Sequence, residues 1–236
     1  FWLGSKKLGS KEINPTADWQ VYLPRFEPQS KRTETSACVT FTILSAIETL
    51  EKFQYGIEPN YSDRYIAQLS GTDPNSGNDP KKVCAAIKKY GLVNEEDWPF
   101  VDDMDEYYKD VPPELIEKGK KWLEKNDFGY EYVDTDKIDI GRTRSPVSVA
   151  VYAWATNEKG EYIRLGASNH YTLNFTKDDF IRLPVFDSYE NPHIKTLAKD
   201  HNVEYAQMYV LRRKKTEKKT FWLWELLARL FGSLRG

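Results

Sequence analysis

The sequence predicts an α+β fold, with helices filling the first half of the chain and an antiparallel sheet the second. Three observations predict it. After Thr35-Ser36-Ala37, the residues Val39, Ile43, Ala46, Ile47 and Leu50 fall at helical spacing. From residue 128 onward the period changes: Pro146 to Ala155 is apolar on both faces, as an interior strand is, and Ser168 to Thr176 alternates. The chain has 236 residues, 40% of them hydrophobic, which is enough to bury a sizeable core.

Residues 1–17 carry no period past the first three and read as an N-terminal arm. Asp18 to Pro24 reads as a short extended run stopped by its proline. Arg25 to Glu34 is polar and reads as loop. The first long helix then begins, with Ser36 or Thr35 as its N-cap and Gly56 as its stop. Tyr61 to Gly71 predicts a short second helix capped by Ser62. Residues 72–79 are a turn cluster. Asp79-Pro80 pairs an N-cap with a proline at the first helical position. Val83, Ala86, Ile87 and Tyr90 form the stripe of that third helix, and Gly91 closes it. Leu92 to Phe100 reads as an irregular crossing. Pro112 to Asn126 predicts a fourth, charged helix that buries Leu115, Ile116, Trp122 and Leu123.

Five strands are predicted in the second half: Gly129 to Val133, Pro146 to Ala155, Ser168 to Thr176, Arg182 to Tyr189 and Tyr205 to Arg212. Along the third of these, Tyr171, Leu173 and Phe175 share one face, and His170, Thr172 and Asn174 the other.

Residues 213–236 differ in character. A basic run spans 212–219. Trp222, Leu223, Leu226, Leu227, Leu230, Phe231 and Leu234 then form one stripe, opposite Glu225 and Arg229. Three readings suit residues 221–234: packing on the chain's own domain, docking on a partner protein, or lying on a membrane surface. The domain division is therefore arm 1–17, globular domain 18–212, and basic linker plus amphipathic helix 213–236.

Composition excludes several classes. A formal net charge of -2 argues against a nucleic-acid partner. No apolar run reaches the roughly 18 residues of a membrane span. Two cysteines are too few for a disulfide framework. Two free thiols in a reducing compartment are expected, with a single Cys38–Cys84 bridge as the alternative. No Cys/His cluster has metal-ligand spacing, so neither a metal nor another cofactor is expected. The sequence opens on Phe1 rather than Met, which reads as a processed or trimmed end.

The chemistry centres on Cys38, in the first turn of the long helix. Backbone N–H groups there are unpaired and the macrodipole is positive, which favours a thiolate. A thiol nucleophile also needs an imidazole, a polar group to orient it, and donors for the developing oxyanion. His170 is the best base, since it lies mid-strand on a face with polar neighbours. His193 and His201 sit in the polar segment 190–202 and read as solvated. Cys84 lies beside its helix stripe and reads as a buried structural thiol.

In order and across most of its length, the chain resembles the papain-like cysteine peptidases. Ser36-Ala37-Cys38-Val39-Thr40-Phe41 resembles the family's Cys-Gly-Ser-Cys-Trp-Ala-Phe. Tyr61-Ser62-Asp63-Arg64 resembles its Tyr-Ser-Glu-Gln. Tyr90-Gly91-Leu92 and Trp98-Pro99-Phe100 resemble its Tyr-Gly-Leu and Tyr-Pro-Tyr. Ser145-Pro146-Val147-Ser148-Val149-Ala150 resembles its Gly-Pro-Val-Ser-Val-Ala. Asn169-His170-Tyr171 resembles its Asn/Asp-His-Ala, and Phe186-Asp187-Ser188-Tyr189 falls where it has Lys-Asn-Ser-Trp.

The resemblance implies a papain-like fold whose central helix carries Cys38 and whose sheet carries His170. It implies Cys38 as nucleophile, His170 as base and Asp187, in place of the usual Asn, as the orienting group. Gln29 and the Cys38 backbone N–H are implied as oxyanion donors, although Gln29 lies three residues further from Cys38 than the family's glutamine. The implied function is a cysteine peptidase acting on a peptide or protein substrate through a thioacyl-enzyme. Two alternatives stand beside it: a cell-wall peptide amidase or tag-removing hydrolase, and an inactive module kept for binding or assembly. The family's disulfide cysteines and Cys-Asn-Gly-Gly motif are absent. A divergent prokaryotic or viral member is expected, in an intracellular or virion-associated setting.

Overall fold

The computed structural model describes residues 13–177, 183–189 and 192–214. Five helices come first: α1 (Cys38–Tyr55), α2 (Asp63–Ser70), α3 (Pro80–Tyr90), α4 (Met104–Tyr107) and α5 (Pro113–Lys125). Then follow β1 (Asn126–Val133), α6 (Ile138–Arg142), β2 (Val147–Val151), β3 (Ala155–Thr156), β4 (Tyr162–Ile163), β5 (His170–Asn174), β6 (Leu183–Phe186), β7 (Ile194–Leu197) and β8 (Ala206–Arg213). The strands form one sheet in the order β1-β8-β2-β5-β6-β7-β4-β3. Its pairings are antiparallel except β4 with β7. The predicted α+β division is therefore present.

Helix α1 is the spine of the molecule. Its stripe residues Val39, Ile43, Ala46, Ile47 and Leu50 are all buried. They pack in one cluster with Tyr171 and Leu173 of β5 and with Tyr209 and Leu211 of β8. Each such aliphatic side chain contributes about 1.5–3 kcal/mol by leaving water. Thr42 Oγ1 adds a tie across this interface by donating to Tyr171 O at 2.8 Å. Gly56 stops the helix in the left-handed region (φ 65°), with its N–H on Lys52 O. The sheet's other face buries Val147, Val149, Val151, Val185, Leu197 and Met208. Strand β2 is thus covered on both faces, as its unbroken apolar run predicts.

The predicted caps of α2 and α3 are in place. Ser62 Oγ accepts from Tyr65 N at 3.1 Å, and Asp79 Oδ1 accepts from Lys81 N at 2.8 Å ahead of Pro80. The cap of α1 is not the expected one. Its N-cap is Ala37, and no side chain caps it. Thr35 Oγ1 instead donates to Gln29 O, and Ser36 Oγ donates to Pro74 O. Both hydroxyls tie down the loops that flank the helix mouth.

Other departures have local causes. Asp18 to Pro24 is not extended: Gln20–Tyr22 is a 3-10 turn. Asp18 Oδ1 accepts from Gln20 N at 3.0 Å, and the buried Trp19 ring anchors the turn by donating to Arg142 O at 2.7 Å. Elements α4, α6, β3, β4 and β7 are too short to show a period. His201 is not solvated but 2% exposed. Its Nδ1 donates to Tyr162 O and its Nε2 accepts from Tyr152 N, which fixes the neutral tautomer.

Both cysteines are free thiols, and Cys84 is buried. Of the predicted arm, residues 1–12 lie outside the described residues, and Asn14 bonds through its N–H to Thr143 O at 2.8 Å. The predicted amphipathic segment 221–234 also lies outside them. Among the described residues no helix is long and apolar enough to cross a membrane.

Candidate active site

Cys38 opens α1, where helix N–H groups have no partner inside the helix. The chain at Thr35 and Ser36, just before it, is held hard. Ser36 sits at φ 54°, a region that costs a non-glycine residue about 1–2 kcal/mol. Three bonds around it maintain that conformation. Ser36 N donates to Glu34 Oε1 at 2.7 Å, Ser36 Oγ donates to Pro74 O at 2.7 Å, and Thr35 Oγ1 donates to Gln29 O at 2.8 Å. On the far side, Gly77 (φ 75°) comes so near that a Cβ there would lie 3.3 Å from Ser36 O. The mouth of the helix is clamped between residues 29–35 and the Asp73–Gly77 turn.

His170 begins β5, paired with Val151 of β2, and is 6% exposed. Its Nε2 lies 2.6 Å from Asp187 Oδ1. Asp187 follows β6, is 0% exposed, and donates its own N–H to His193 O at 2.7 Å. With Nε2 committed to Asp187, Nδ1 is the ring nitrogen that remains, and Cys38 lies near enough for its charge to act on the imidazole. The ring is walled by Trp154, edge-on at 5.5 Å, and by Tyr189, tilted at 5.0 Å.

Burial works against a charged His170, but the Cys38 charge and the Asp187 carboxylate outweigh it and raise the imidazole to about 10. Burial likewise works against a charged Asp187. There His170 and Lys195 prevail and hold the carboxyl below its ordinary value.

A cavity of about 510 Å³ opens over this group, lined among others by Gln29, Glu34, Cys38, Asn169, His170 and Tyr189. Gln29 therefore shares a cavity with Cys38 despite its odd spacing. The extra residues fold back as a loop closed by a Ser30–Glu34 bridge. The Gln29 side chain is fully engaged. Its Oε1 accepts from Ser188 Oγ at 2.6 Å, and its Nε2 donates to Glu34 Oε1 at 2.8 Å and to Tyr189 OH at 3.2 Å. Tyr189 OH in turn donates to Glu34 Oε2 at 2.7 Å.

Solved structures share this architecture. The bromelain protease of Ananas comosus, bound to an inhibitor, matches with a TM-score of 0.58 at 16% identity, over 83% of this chain and 98% of that one. Procathepsin L 3 of the Tenebrio molitor larval midgut matches at 0.59 and 15% identity, over 89% and 72%. The cysteine protease and lectin-like domains of Cwp84, a surface layer associated protein of Clostridium difficile, match at 0.66 and 12% identity, over 90% and 54%.

This chain has the papain-like fold. No protein-family model and no curated protein matches the sequence.

Within that papain-like fold, sequence reasoning overlooked four side chains around the imidazole and the cavity. Lys195 bonds Asp187 from behind, at 2.7 Å from Oδ2. Trp154 and Tyr189 wall the ring. Glu34 gathers Ser36 N, Gln29 Nε2 and Tyr189 OH. Tyr189, next but one to Asp187, was within reach as the counterpart of the family's tryptophan. The other three carry no motif.

Proposed function

We propose that this chain is a cysteine peptidase with Cys38 as nucleophile, His170 as acid and base, and Asp187 as the group that orients His170. The observation that carries the reading is the His170 ring, bonded to Asp187 and lining one open cavity with Cys38. Cys38 Sγ adds to the scissile carbonyl carbon, and the carbonyl oxygen takes up the negative charge. As the C–N bond breaks, His170 Nδ1 passes its proton to the leaving amine, and a thioester remains on Cys38. A water then attacks the thioester and gives a proton to His170. The carboxylic acid leaves, and the proton on the imidazole restores the starting pair.

Gln29 and the Cys38 backbone N–H are the donors for the oxyanion. Because Tyr189 OH already donates to Glu34, it can only accept from Gln29, and at 3.2 Å that is the longer of the two Gln29 bonds. A substrate carbonyl replaces Tyr189 OH as the acceptor. The same engagement of both Gln29 hydrogens is what favours the second reading, an inactive module used for binding. The substrate is a peptide or a protein, and amide bonds in cell-wall peptides or a small protein tag suit the same chemistry.

A peptidyl fluoromethyl ketone separates the two readings. The peptidase is expected to form a covalent adduct that maps to Cys38, disappears in Cys38→Ala, and is at least tenfold slower in His170→Ala. A folded wild type that stays unlabelled supports the inactive module.

A further inference from the structure

Strand β7 carries a lysine that points inward. Along Ile194–Leu197 the pattern alternates, and Lys195 and Leu197 take the buried side. The Lys195 side chain is 3% exposed. A buried ammonium is tolerated only when all its donors are matched. Here three acceptors meet its three N–H groups: Asp187 Oδ2 at 2.7 Å, Pro192 O at 2.5 Å and Tyr189 O at 3.4 Å. The Trp154 ring, the one that walls His170, covers it at 5.1 Å.

We propose that Lys195 is a positioning residue of the site, acting on His170 through Asp187. The two Asp187 oxygens have separate partners, Oδ1 on His170 and Oδ2 on Lys195, so the carboxylate plane is fixed at both ends. The charges alternate as well: the Asp187 carboxylate after β6 lies between the His170 imidazole of β5 and the Lys195 ammonium of β7. Tyr189 and Trp154 complete the enclosure, with Glu34 one hydrogen bond beyond Tyr189. An aspartate alone, shut from water beside the imidazolium, holds the proton hard. Lys195 offsets that charge, so His170 can surrender its proton to a leaving amine. This role rests on the reading of His170 as acid and base.

The test titrates His170 by nitrogen-15 NMR in a Cys38→Ser background, where neither a nucleophile nor a substrate is needed. Lys195→Met is expected to raise the His170 midpoint by about one pH unit, a tenfold change in proton affinity. Lys195→Arg, which keeps the charge, is expected to leave it in place. A folded Lys195→Met protein with an unmoved or lowered midpoint overturns the proposal. If Lys195→Met does not fold, the pair is tested by stability. Asp187→Asn leaves Lys195 without its charged partner, and Asp187→Asn/Lys195→Met is expected to melt higher than Asp187→Asn alone. A double variant no more stable than Asp187→Asn overturns the proposal. Neither measurement depends on the labelling of Cys38, so loss of one reading is distinguishable from loss of the other.

Discussion

His170 Nε2 lies 2.6 Å from Asp187 Oδ1, and the two side chains are 2% and 0% exposed. Their pH dependence follows in sign. His170 is raised to about 10, so its contribution to stability is whole below its ordinary 6.5 and is lost as pH rises through about 10. Asp187 is lowered, so its contribution is present above its ordinary 3.8 and is lost as pH falls below that. Denaturant unfolding from pH 4 to 10 is expected to show wild type losing more stability than His170→Asn between pH 6.5 and 10. Parallel curves would remove the ion pair.

Asp187→Ala leaves the buried Lys195 ammonium facing no carboxylate. Breaking a buried pair from one side costs about 3–5 kcal/mol. Asp187→Asn keeps an acceptor for the imidazole and is expected to cost less. Equal losses for the two variants, measured by urea unfolding, would mean that the lost charge and not the lost acceptor sets the cost.

On the proposed reading Gln29 is the side-chain oxyanion donor, so Gln29→Ala is expected to lower kcat about 10²–10³-fold on a peptide substrate, with KM little changed. Gln29→Glu should be no better, since it brings a carboxylate where negative charge develops. A Gln29→Ala enzyme of normal kcat would assign that task to backbone N–H groups alone.

Gly77 faces the strained residue beside Cys38. In Gly77→Ala a Cβ would sit 3.3 Å from Ser36 O at a φ of 75°. The change is expected to cost about 1–2 kcal/mol and to slow labelling of Cys38, because the clamp on residues 36–38 shifts. Unchanged melting and labelling would show the turn to be slack.

Glu48 of α1 is buried, and burial pushes its carboxyl well above the usual range although Tyr61 N donates to it at 2.8 Å. A raised carboxyl makes the folded state bind the proton more tightly, so wild-type stability falls as pH rises above 4.5. Glu48→Gln keeps the acceptor and removes the titration. The variant is expected to gain roughly 1–3 kcal/mol on wild type at pH 8, and little at pH 4. A gain equal at both values would refer the effect to packing.

The helical half was legible because its apolar stripes, its Asp79-Pro80 start and its glycine stops are all local signals. Cys38 and His170 stood out for the same reason, one in a helix's first turn and one on an alternating strand. What the sequence hid is made by contacts between distant segments. Lys195 sits in a polar stretch and reads as a solvated lysine, yet the alternation of a four-residue strand turns it inward. His201 reads the same way, and two backbone groups far upstream bury it. Thr35 and Ser36 read as caps, and only the fold shows their hydroxyls drawn to Gln29 O and Pro74 O.

The proposed pair of Cys38 and His170 is tested most directly by the alkylation rate of Cys38 with iodoacetamide across pH, read by mass spectrometry, in wild type and His170→Ala. The wild-type rate is expected to exceed that of His170→Ala most at acid pH, where the raised imidazole is still charged beside the thiol. The two rates should converge at alkaline pH, as the imidazolium loses its proton. Superimposable profiles for the two proteins would contradict a Cys38–His170 pair.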